Sequence, residues 1–246
     1  MKLNCDLGES YGAWQMGQDE QVMPLIDMAN IACGFHAGDT NVMRKTVALA
    51  AKYGVEIGAH TSYHDLPGFG RRSISHSPDE IEALMLYQLG ALDGICRAEG
   101  LHLSYVKPHG ALNNDMMRDM STLEAVMSAI RQYDATLPLM LPATIHHQRH
   151  RKLATYIGIP VLLEAFADRA YDDDGQLVSR RLPGAVHPSI DAIVAQALSF
   201  ANKEGINSTS GQWLELPADS LCVHGDTEGA LAAVRQIRGA LKTAQA

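Results

Sequence analysis

The sequence has 246 residues, of which 46% are hydrophobic, and a formal net charge of −8 at pH 7. A chain of this size and composition can bury one substantial core, so we expect a single domain over residues 1–246. The acidic balance argues against a nucleic-acid partner, whose phosphates would be repelled. No apolar run is long enough to span a bilayer and no signal-peptide pattern is present. We therefore expect a cytoplasmic protein with no membrane partner.

Short apolar runs alternate along the chain with segments of helical periodicity. The strands are predicted over residues 1–5, 29–33, 55–60, 102–106, 137–141, 161–166 and 221–223. The helices are predicted over residues 40–53, 77–99, 121–133, 144–156 and 189–203, with a last helix that ends near residue 241. Asp39 is placed to cap the first of these helices, and Ser77, Pro78 and Glu80 form a strong start for the second.

This alternation predicts an α/β fold built from repeated β-α units. Such units form a parallel sheet with right-handed crossovers. Because seven strands are recognisable rather than eight, we expect an irregular, TIM-like seven-stranded parallel β/α barrel. A doubly wound open sheet is the competing topology, and the sequence leaves closure of the sheet open.

The four cysteines indicate a reducing compartment. Cys5, Cys33, Cys96 and Cys222 show no CxxC spacing, and three of them lie on predicted strands. We expect buried, reduced thiols rather than disulfides or a zinc finger.

Polar side chains follow most of the predicted strands at the point where each strand ends. Catalytic groups of parallel sheets gather at these carboxyl ends, and titratable groups concentrated there cost stability that only a site requires. We expect one site at this mouth of the fold, although Asp39 and Asp226 precede helices and are equally well explained as caps. The catalytic candidates are Asp6, Glu9, His36, Asp39, His60, Lys107, His109, His224 and Asp226.

Two of these strand ends suggest particular chemistry. His60 and His64, four residues apart, together with Asp6 have the donor types that bind a divalent transition metal, and the alternative is a hydrogen-bonded pair that orients a substrate. Lys107 and His109 flank a proline, so that a cation and an acid–base group share one stiff turn. This pair is suited to polarising a carbonyl group and moving a proton.

Substrate-binding candidates lie in the loops. Arginine forks suit carboxylate or phosphate groups, and among the loop arginines Arg169 is the principal candidate. Arg72 and Asn113 complete the predicted substrate-binding set. The chain contains neither a GxxxxGK[ST] phosphate loop nor a GxSxG nucleophile elbow, so any nucleotide would be bound by backbone amides at strand ends and helix N-termini.

Several of these segments together resemble the LamB/YcsF family. The matching segments are NCDLGES at 4–10, ACGFHAGD at 32–39, GAH at 58–60, KPHGALN at 107–113, EAFADRAY at 164–171 and CVHGD at 222–226. The resemblance covers nearly the whole chain. It implies a seven-stranded β/α barrel similar to the polysaccharide deacetylase superfamily.

The family resemblance also implies an activity. It implies ATP-dependent hydrolytic opening of 5-oxo-L-proline to L-glutamate by a 5-oxoprolinase, with separate B and C subunits. In the implied mechanism the amide oxygen is phosphorylated and water then attacks. Asp6 or Glu9 acts as general base, Lys107 and His109 stabilise charge, and Arg169 holds the substrate carboxylate.

The metal prediction has a parallel in that superfamily. His60 and His64 are similar to the metal motif of the deacetylases, with Asp6 in the place of their first-strand aspartate. Their paired-aspartate motif is absent, because Leu7, Gly8 and Glu9 follow Asp6.

Two other functions remain open at this point. One is a stand-alone, divalent-metal-dependent deacetylase or amidohydrolase. The other is a non-catalytic scaffold protein of the complex that only binds substrate. A homo-oligomer is also left open.

Overall fold

The computed structural model describes residues 1–179, 181–224 and 228–244. Its strands, in chain order, are β1 Lys2–Leu7, β2 Met28–Ala32, β3 Glu56–His60, β4 Tyr105–Val106, β5 Leu139–Pro142, β6 Val161–Phe166, β7 Ile206–Asn207, β8 Trp213–Leu214 and β9 Ser220–Cys222. Strands β1 to β6 and β9 form a closed barrel, while β7 and β8 form a separate hairpin.

Every neighbouring pair of strands in the barrel is parallel. Strand β9 closes it by pairing with both β6 and β1, so that Ser220 lies opposite Glu164 on one side and Lys2 on the other. The predicted seven-stranded α/β barrel is therefore confirmed, and the alternative of an open sheet is wrong. The barrel shares its right-handed β-α connectivity with TIM barrels but closes with one strand fewer.

Helices cover the outside of the barrel. They are α1 Asp19–Val22, α2 Thr40–Tyr53, α3 Pro78–Ala98, α4 Gly110–Arg118, α5 Met120–Asp134, α6 His147–Ile157, α7 Ile190–Ala201 and α8 Glu228–Ala244, with short 3-10 turns at Met23–Leu25 and Leu66–Gly68. Within the described ranges, none of the helices combines the length and apolar character that a membrane span requires.

Local signals explain where the long helices begin and end. Asp39 accepts hydrogen bonds at the start of α2, and Gly54 ends that helix in the left-handed conformation. Ser77 and Glu80 form a reciprocal capping box at the start of α3. These two helices therefore have nearly the predicted bounds.

The barrel interior contains both apolar and polar layers. Met28, Tyr105 and Met140 pack together inside the barrel, away from the larger cluster between strands and helices. The Tyr105 hydroxyl donates to the buried Asn30 side chain at 2.6 Å. Gly58 makes room for the Tyr105 ring, since a Cβ there would lie 2.1 Å from a ring carbon.

Three details differ from the sequence prediction. The sequence predicts the fourth strand over residues 102–106, but only Tyr105–Val106 pair with neighbouring strands. Helix α4 and the β7–β8 hairpin are not among the predicted elements. The four cysteines are buried and free, as expected.

Candidate active site

The carboxyl ends of the barrel strands open into a cavity of about 520 Å³. This volume lies within the range of small-molecule sites. Of the sequence candidates, those that line it are Asp6, Glu9, His60, Lys107, His109, Asn113, Arg169 and His224. Most of the predicted strand-end groups are thus within reach of one ligand.

A buried ammonium group organises the floor of the cavity. Lys107 Nζ lies 2.9 Å from Asp6 Oδ1 and 2.8 Å from Glu164 Oε1. The Asn30 side-chain amide also donates to Asp6 Oδ1, at 2.7 Å. Burial opposes the charged form of Lys107, but Asp6 and the other anionic groups override it and raise the pKa of Lys107 well above its usual value. Lys107 therefore stays positively charged and holds Asp6 in place.

Two imidazoles meet beside this ion pair. His60 Nδ1 donates to the Lys107 carbonyl oxygen at 2.8 Å, and His109 Nε2 donates to the Phe69 carbonyl oxygen at 3.0 Å. The remaining nitrogens, His60 Nε2 and His109 Nδ1, are 2.9 Å apart. Because carbonyl oxygens only accept, these contacts determine which nitrogen of each ring faces the other ring.

A third imidazole and a carboxylate complete the cluster. His36 Nε2 lies 3.1 Å from Glu9 Oε1, and its Nδ1 lies 3.2 Å from Ser62 Oγ. The Ser62 hydroxyl donates to the Tyr63 carbonyl oxygen at 2.8 Å and therefore accepts from His36 Nδ1. The rings of His36 and His109 stack, with centroids 3.9 Å apart and planes 7° from parallel.

The loop after β3 covers these rings. Phe69, in the left-handed conformation at φ 54°, meets the rings of His36 and His109 edge-on. The loop also crosses the start of α4 closely, since a Cβ on Gly110 would lie 2.4 Å from the Gly70 carbonyl oxygen. The glycine at position 110 therefore allows the loop to seal one side of the site.

The environment shifts the titration of the cluster in opposite directions. Burial lowers the pKa of His36 and of His109 well below the usual value. Burial acts in the same sense on His60, but the Asp6 carboxylate overrides it and raises the pKa of His60. Burial alone would raise the pKa of Asp6, yet His60 and the adjoining ammonium group lower it well below its usual value. Burial and then Asp6 raise the pKa of Glu9.

On the opposite wall, His224 Nδ1 lies 2.9 Å from Asp168 Oδ2. Arg169 lines the cavity, but its guanidinium group donates to the carbonyl oxygens of Ala185 and Val178. These bonds anchor the polar loop that follows β6. The expectation that Arg169 holds a substrate carboxylate is therefore corrected: its described contacts are those of a residue that supports a loop.

Two predicted catalytic aspartates are not part of the cluster as the structure describes it. The Asp39 carboxylate accepts from the backbone N–H groups of residues 41 and 42 at the start of α2 and of residue 12, at 2.8 to 2.9 Å. These bonds occupy it as a helix cap, which was the alternative interpretation. Asp226 lies outside the described residues.

Two further predictions are corrected by side-chain direction. His64 is exposed, and its ring stacks on Phe35 with centroids 4.6 Å apart, so the predicted metal set of Asp6, His60 and His64 does not assemble. Arg72 forms an ion pair with the buried Asp65 carboxylate. Arg72 thus stabilises the loop after β3, and it is not among the described residues that line the cavity.

Sequence reasoning missed several residues that shape the site. Glu164 lies in the middle of the apolar strand β6, and Asn4 and Asn30 lie in β1 and β2. All three are buried, and polar residues inside apolar strands were the available signal. Arg71, one position before the predicted Arg72, lines the cavity.

Proteins of known sequence resemble this chain throughout its length. The model of the LamB/YcsF family matches residues 1–246. A 5-oxoprolinase component of Chromohalobacter salexigens, the A component by name, is 58% identical over 238 residues, which cover 97% of this chain and 95% of that protein. The corresponding protein of Pseudomonas fluorescens is 55% identical over 239 residues, covering 97% and 96%.

A solved structure agrees with these relatives. The lactam utilization protein of Thermus thermophilus has a TM-score of 0.92 and 40% sequence identity, with 100% of this chain and 97% of that chain covered. Both the fold and the sequence are thus shared along the whole length. The chain belongs to the LamB/YcsF family.

Proposed function

We propose that this chain is the A component of a 5-oxoprolinase, which acts with B and C components in the ATP-dependent hydrolysis of 5-oxo-L-proline to L-glutamate. The observation that carries the proposal is the 58% identity to the 5-oxoprolinase A component of Chromohalobacter salexigens over 97% of the chain. The cavity at the carboxyl ends of the strands, with its buried carboxylates and imidazoles, is the place where we expect the lactam to bind. We expect the complex to be cytoplasmic, where ATP is available.

The chemistry of the substrate explains the need for ATP. A five-membered lactam is a stable amide, and phosphorylation of its oxygen would turn that oxygen into a leaving group and make the ring carbon susceptible to water. The step then requires a group that accepts the proton of the attacking water. We assign this role to Asp6, whose Oδ1 is held by Lys107 and Asn30.

Lys107 has a different role in this proposal from the one expected of it. Its ammonium charge is already compensated by Asp6 and Glu164 at 2.9 and 2.8 Å. We infer that Lys107 acts as a positioning residue that keeps Asp6 ionised and correctly oriented.

Three arginines are better placed than Arg169 to bind the anions of the reaction. Arg71, Arg118 and Arg181 line the cavity and are exposed to it. Guanidinium groups form paired hydrogen bonds to carboxylate and phosphate oxygens. We therefore propose that they bind the substrate carboxylate and the phosphate groups that ATP brings to the complex.

The proposal is tested with the full chain reconstituted with its B and C partners. We expect 5-oxoproline-dependent ATP hydrolysis with formation of glutamate, and a decrease in kcat of about 10² to 10⁴ for Asp6→Asn, the range for loss of a general base. Asp39→Asn serves as the matched control because it changes an aspartate that caps a helix outside the cavity.

Three results would contradict the assignment in different ways. Absence of glutamate in the reconstituted wild-type complex would remove the 5-oxoprolinase function. Full turnover by Asp6→Asn would favour a non-catalytic scaffold role. Amide hydrolysis by this chain alone without ATP would favour the amidohydrolase.

A further inference from the structure

Four potential ligand atoms converge at one side of the cavity. They belong to Glu9, His36, His60 and His109, and all lie within 4.8 Å of one another. The three imidazoles are buried, and the Glu9 side chain is partly exposed to the cavity. Among the described residues, this is the one such group of histidine, cysteine and carboxylate side chains.

Hydrogen bonds orient the rings toward this centre. The remote nitrogens of His60 and His109 each donate to a backbone carbonyl oxygen, and that of His36 donates to the Ser62 hydroxyl. The nitrogens that face the centre therefore carry lone pairs when the rings are neutral. Metal-binding histidines have this arrangement, in which the second ring nitrogen donates to a carbonyl or similar acceptor.

The short distances inside the cluster require a positive charge between the groups. His60 Nε2 and His109 Nδ1 are 2.9 Å apart, and His36 Nε2 is 3.1 Å from Glu9 Oε1. Each contact brings two acceptors together, so each needs either a proton or a cation between them. One divalent ion at the centre would satisfy both contacts at once.

The charges around the cluster favour a cation. Asp6, Glu9 and Glu164 are three carboxyl groups near the single ammonium group of Lys107. Asp6 Oδ2 also lies 3.3 Å from His60 Nε2, which adds a second carboxylate oxygen at the edge of the cluster. An excess of acidic groups in a partly water-excluded site stabilises a bound cation.

We propose that Glu9, His36, His60 and His109 form a binding site for a divalent first-row transition-metal ion. Imidazole and carboxylate donors suit Zn²⁺, Fe²⁺ and Mn²⁺. Donor atoms about 2.0–2.2 Å from such an ion are roughly 3 Å apart, which is close to the spacings observed here. Because His36 and His109 are stacked, one of the two rings turns out of the stack when both bind the ion in their planes.

This set differs from the one predicted from the sequence. His64 is replaced by His36 and His109, which come from the ends of two other strands. His64 is therefore a natural control, since it lies four residues from His60 and yet points to solvent. A site that depended only on local sequence spacing would need His64.

The test is a metal-binding measurement on the full chain with any affinity tag removed. After treatment with a chelator, the wild-type protein is loaded with Zn²⁺, passed over a gel-filtration column and analysed for metal. We expect one equivalent of Zn²⁺ per chain. We expect Glu9→Gln and His60→Ala to lower the Zn²⁺ affinity more than 100-fold, beyond the roughly 10- to 100-fold loss typical of residues that only orient a ligand. His64→Ala should bind as the wild type does.

A second readout covers variants that fold poorly. Co²⁺ added to the wild-type chain should give visible absorption bands of a bound ion, and Zn²⁺ should raise the Tm of the wild type but not of the isosteric Glu9→Gln. The proposal is wrong if the wild type retains no metal, or if Glu9→Gln and His60→Ala bind Zn²⁺ as tightly as His64→Ala does. Neither substrate nor partner proteins are needed, so this outcome is separate from that of the 5-oxoprolinase assay.

Discussion

Lys107 is the residue on which the electrostatics of the site depend. It is buried between the carboxylates of Asp6 and Glu164, which the surrounding protein shields from water. Breaking a buried ion pair by removing one partner costs far more than the pair contributes, because an uncompensated charge is left behind. Lys107 therefore matters for folding as well as for orientation of Asp6.

We expect Lys107→Met to lower the free energy of unfolding by about 3–5 kcal/mol, the range for a buried charge that loses its partner. Urea denaturation followed by circular dichroism measures the change. Lys107→Met combined with Glu164→Gln should recover part of the loss, because one buried carboxylate no longer needs compensation. A loss below about 1 kcal/mol in the single variant would show that water reaches these carboxylates.

Asp39 shows how one residue type can serve two purposes at a strand end. It follows β2 in the same position as the catalytic candidates follow their strands, yet its carboxylate is bonded to the start of α2 and to residue 12. The sequence could not separate the two roles, because a cap and a catalytic acid both precede a helix here.

We expect Asp39→Ala to lower the free energy of unfolding by about 1 kcal/mol through loss of the cap, and Asp39→Asn to lower it less because asparagine also caps helices. Neither change should reduce turnover of the reconstituted complex more than about twofold, since this side chain does not line the cavity. Denaturation and the ATP-hydrolysis assay measure the two effects. A large loss of kcat in a stable Asp39→Asn protein would return this residue to the catalytic set.

At the scale of the element, strands and helices were more predictable than loops. The bounds of α2 agree with the prediction because a cap, an apolar face and a left-handed glycine all lie at the expected positions. Helix α4 was missed because its start, Lys107 to Gly110, resembles a turn and its polar segment around Asn113 obscures the periodicity. Short segments such as β4 are defined by their neighbours rather than by local sequence.

The site was predictable to the extent that parallel strands determine it. Groups directly after a strand, such as Asp6, His60 and Lys107, meet because the carboxyl ends of all barrel strands share one mouth. His64 lies four residues beyond its strand, where the course of the loop decides the direction of the side chain. Glu164 was missed for the opposite reason, because it lies within a strand that is otherwise apolar.

Strand β3 has a packing requirement that can be tested. A Cβ at Gly58 would lie 2.1 to 2.6 Å from three ring carbons of Tyr105. We expect Gly58→Ala to lower the free energy of unfolding by at least about 1–3 kcal/mol, the usual cost of overpacking. In the double variant Gly58→Ala with Tyr105→Leu, the removed ring should make room for the methyl group. A double-mutant cycle with no coupling between the two positions would contradict this geometry.

For the whole molecule, closure of the barrel was the feature that the sequence left open. It depends on β9, which joins the first strand to the sixth, and on contacts such as the 2.8 Å hydrogen bond between Asn4 and Ser220, 216 residues apart. Local patterns contain no information on pairings at such separation. Once the barrel is closed, its core is continuous from the first strand to the last helix.

We therefore expect damage to the closing strand to destabilise the entire molecule. Leu221, fully buried in β9, packs in the main core, so Leu221→Ala should lower the free energy of unfolding by about 2–5 kcal/mol, as for other large-to-small core changes. Tyr156→Ala is the control, since that side chain is 83% exposed on α6 and its removal should change stability by no more than about 0.5 kcal/mol. Urea unfolding followed by far-UV circular dichroism should show one cooperative transition for each protein, shifted only in Leu221→Ala. If Leu221→Ala instead unfolds in two steps, with most of the helical signal lost at the wild-type midpoint, then β9 is a separable edge and the barrel does not behave as one unit.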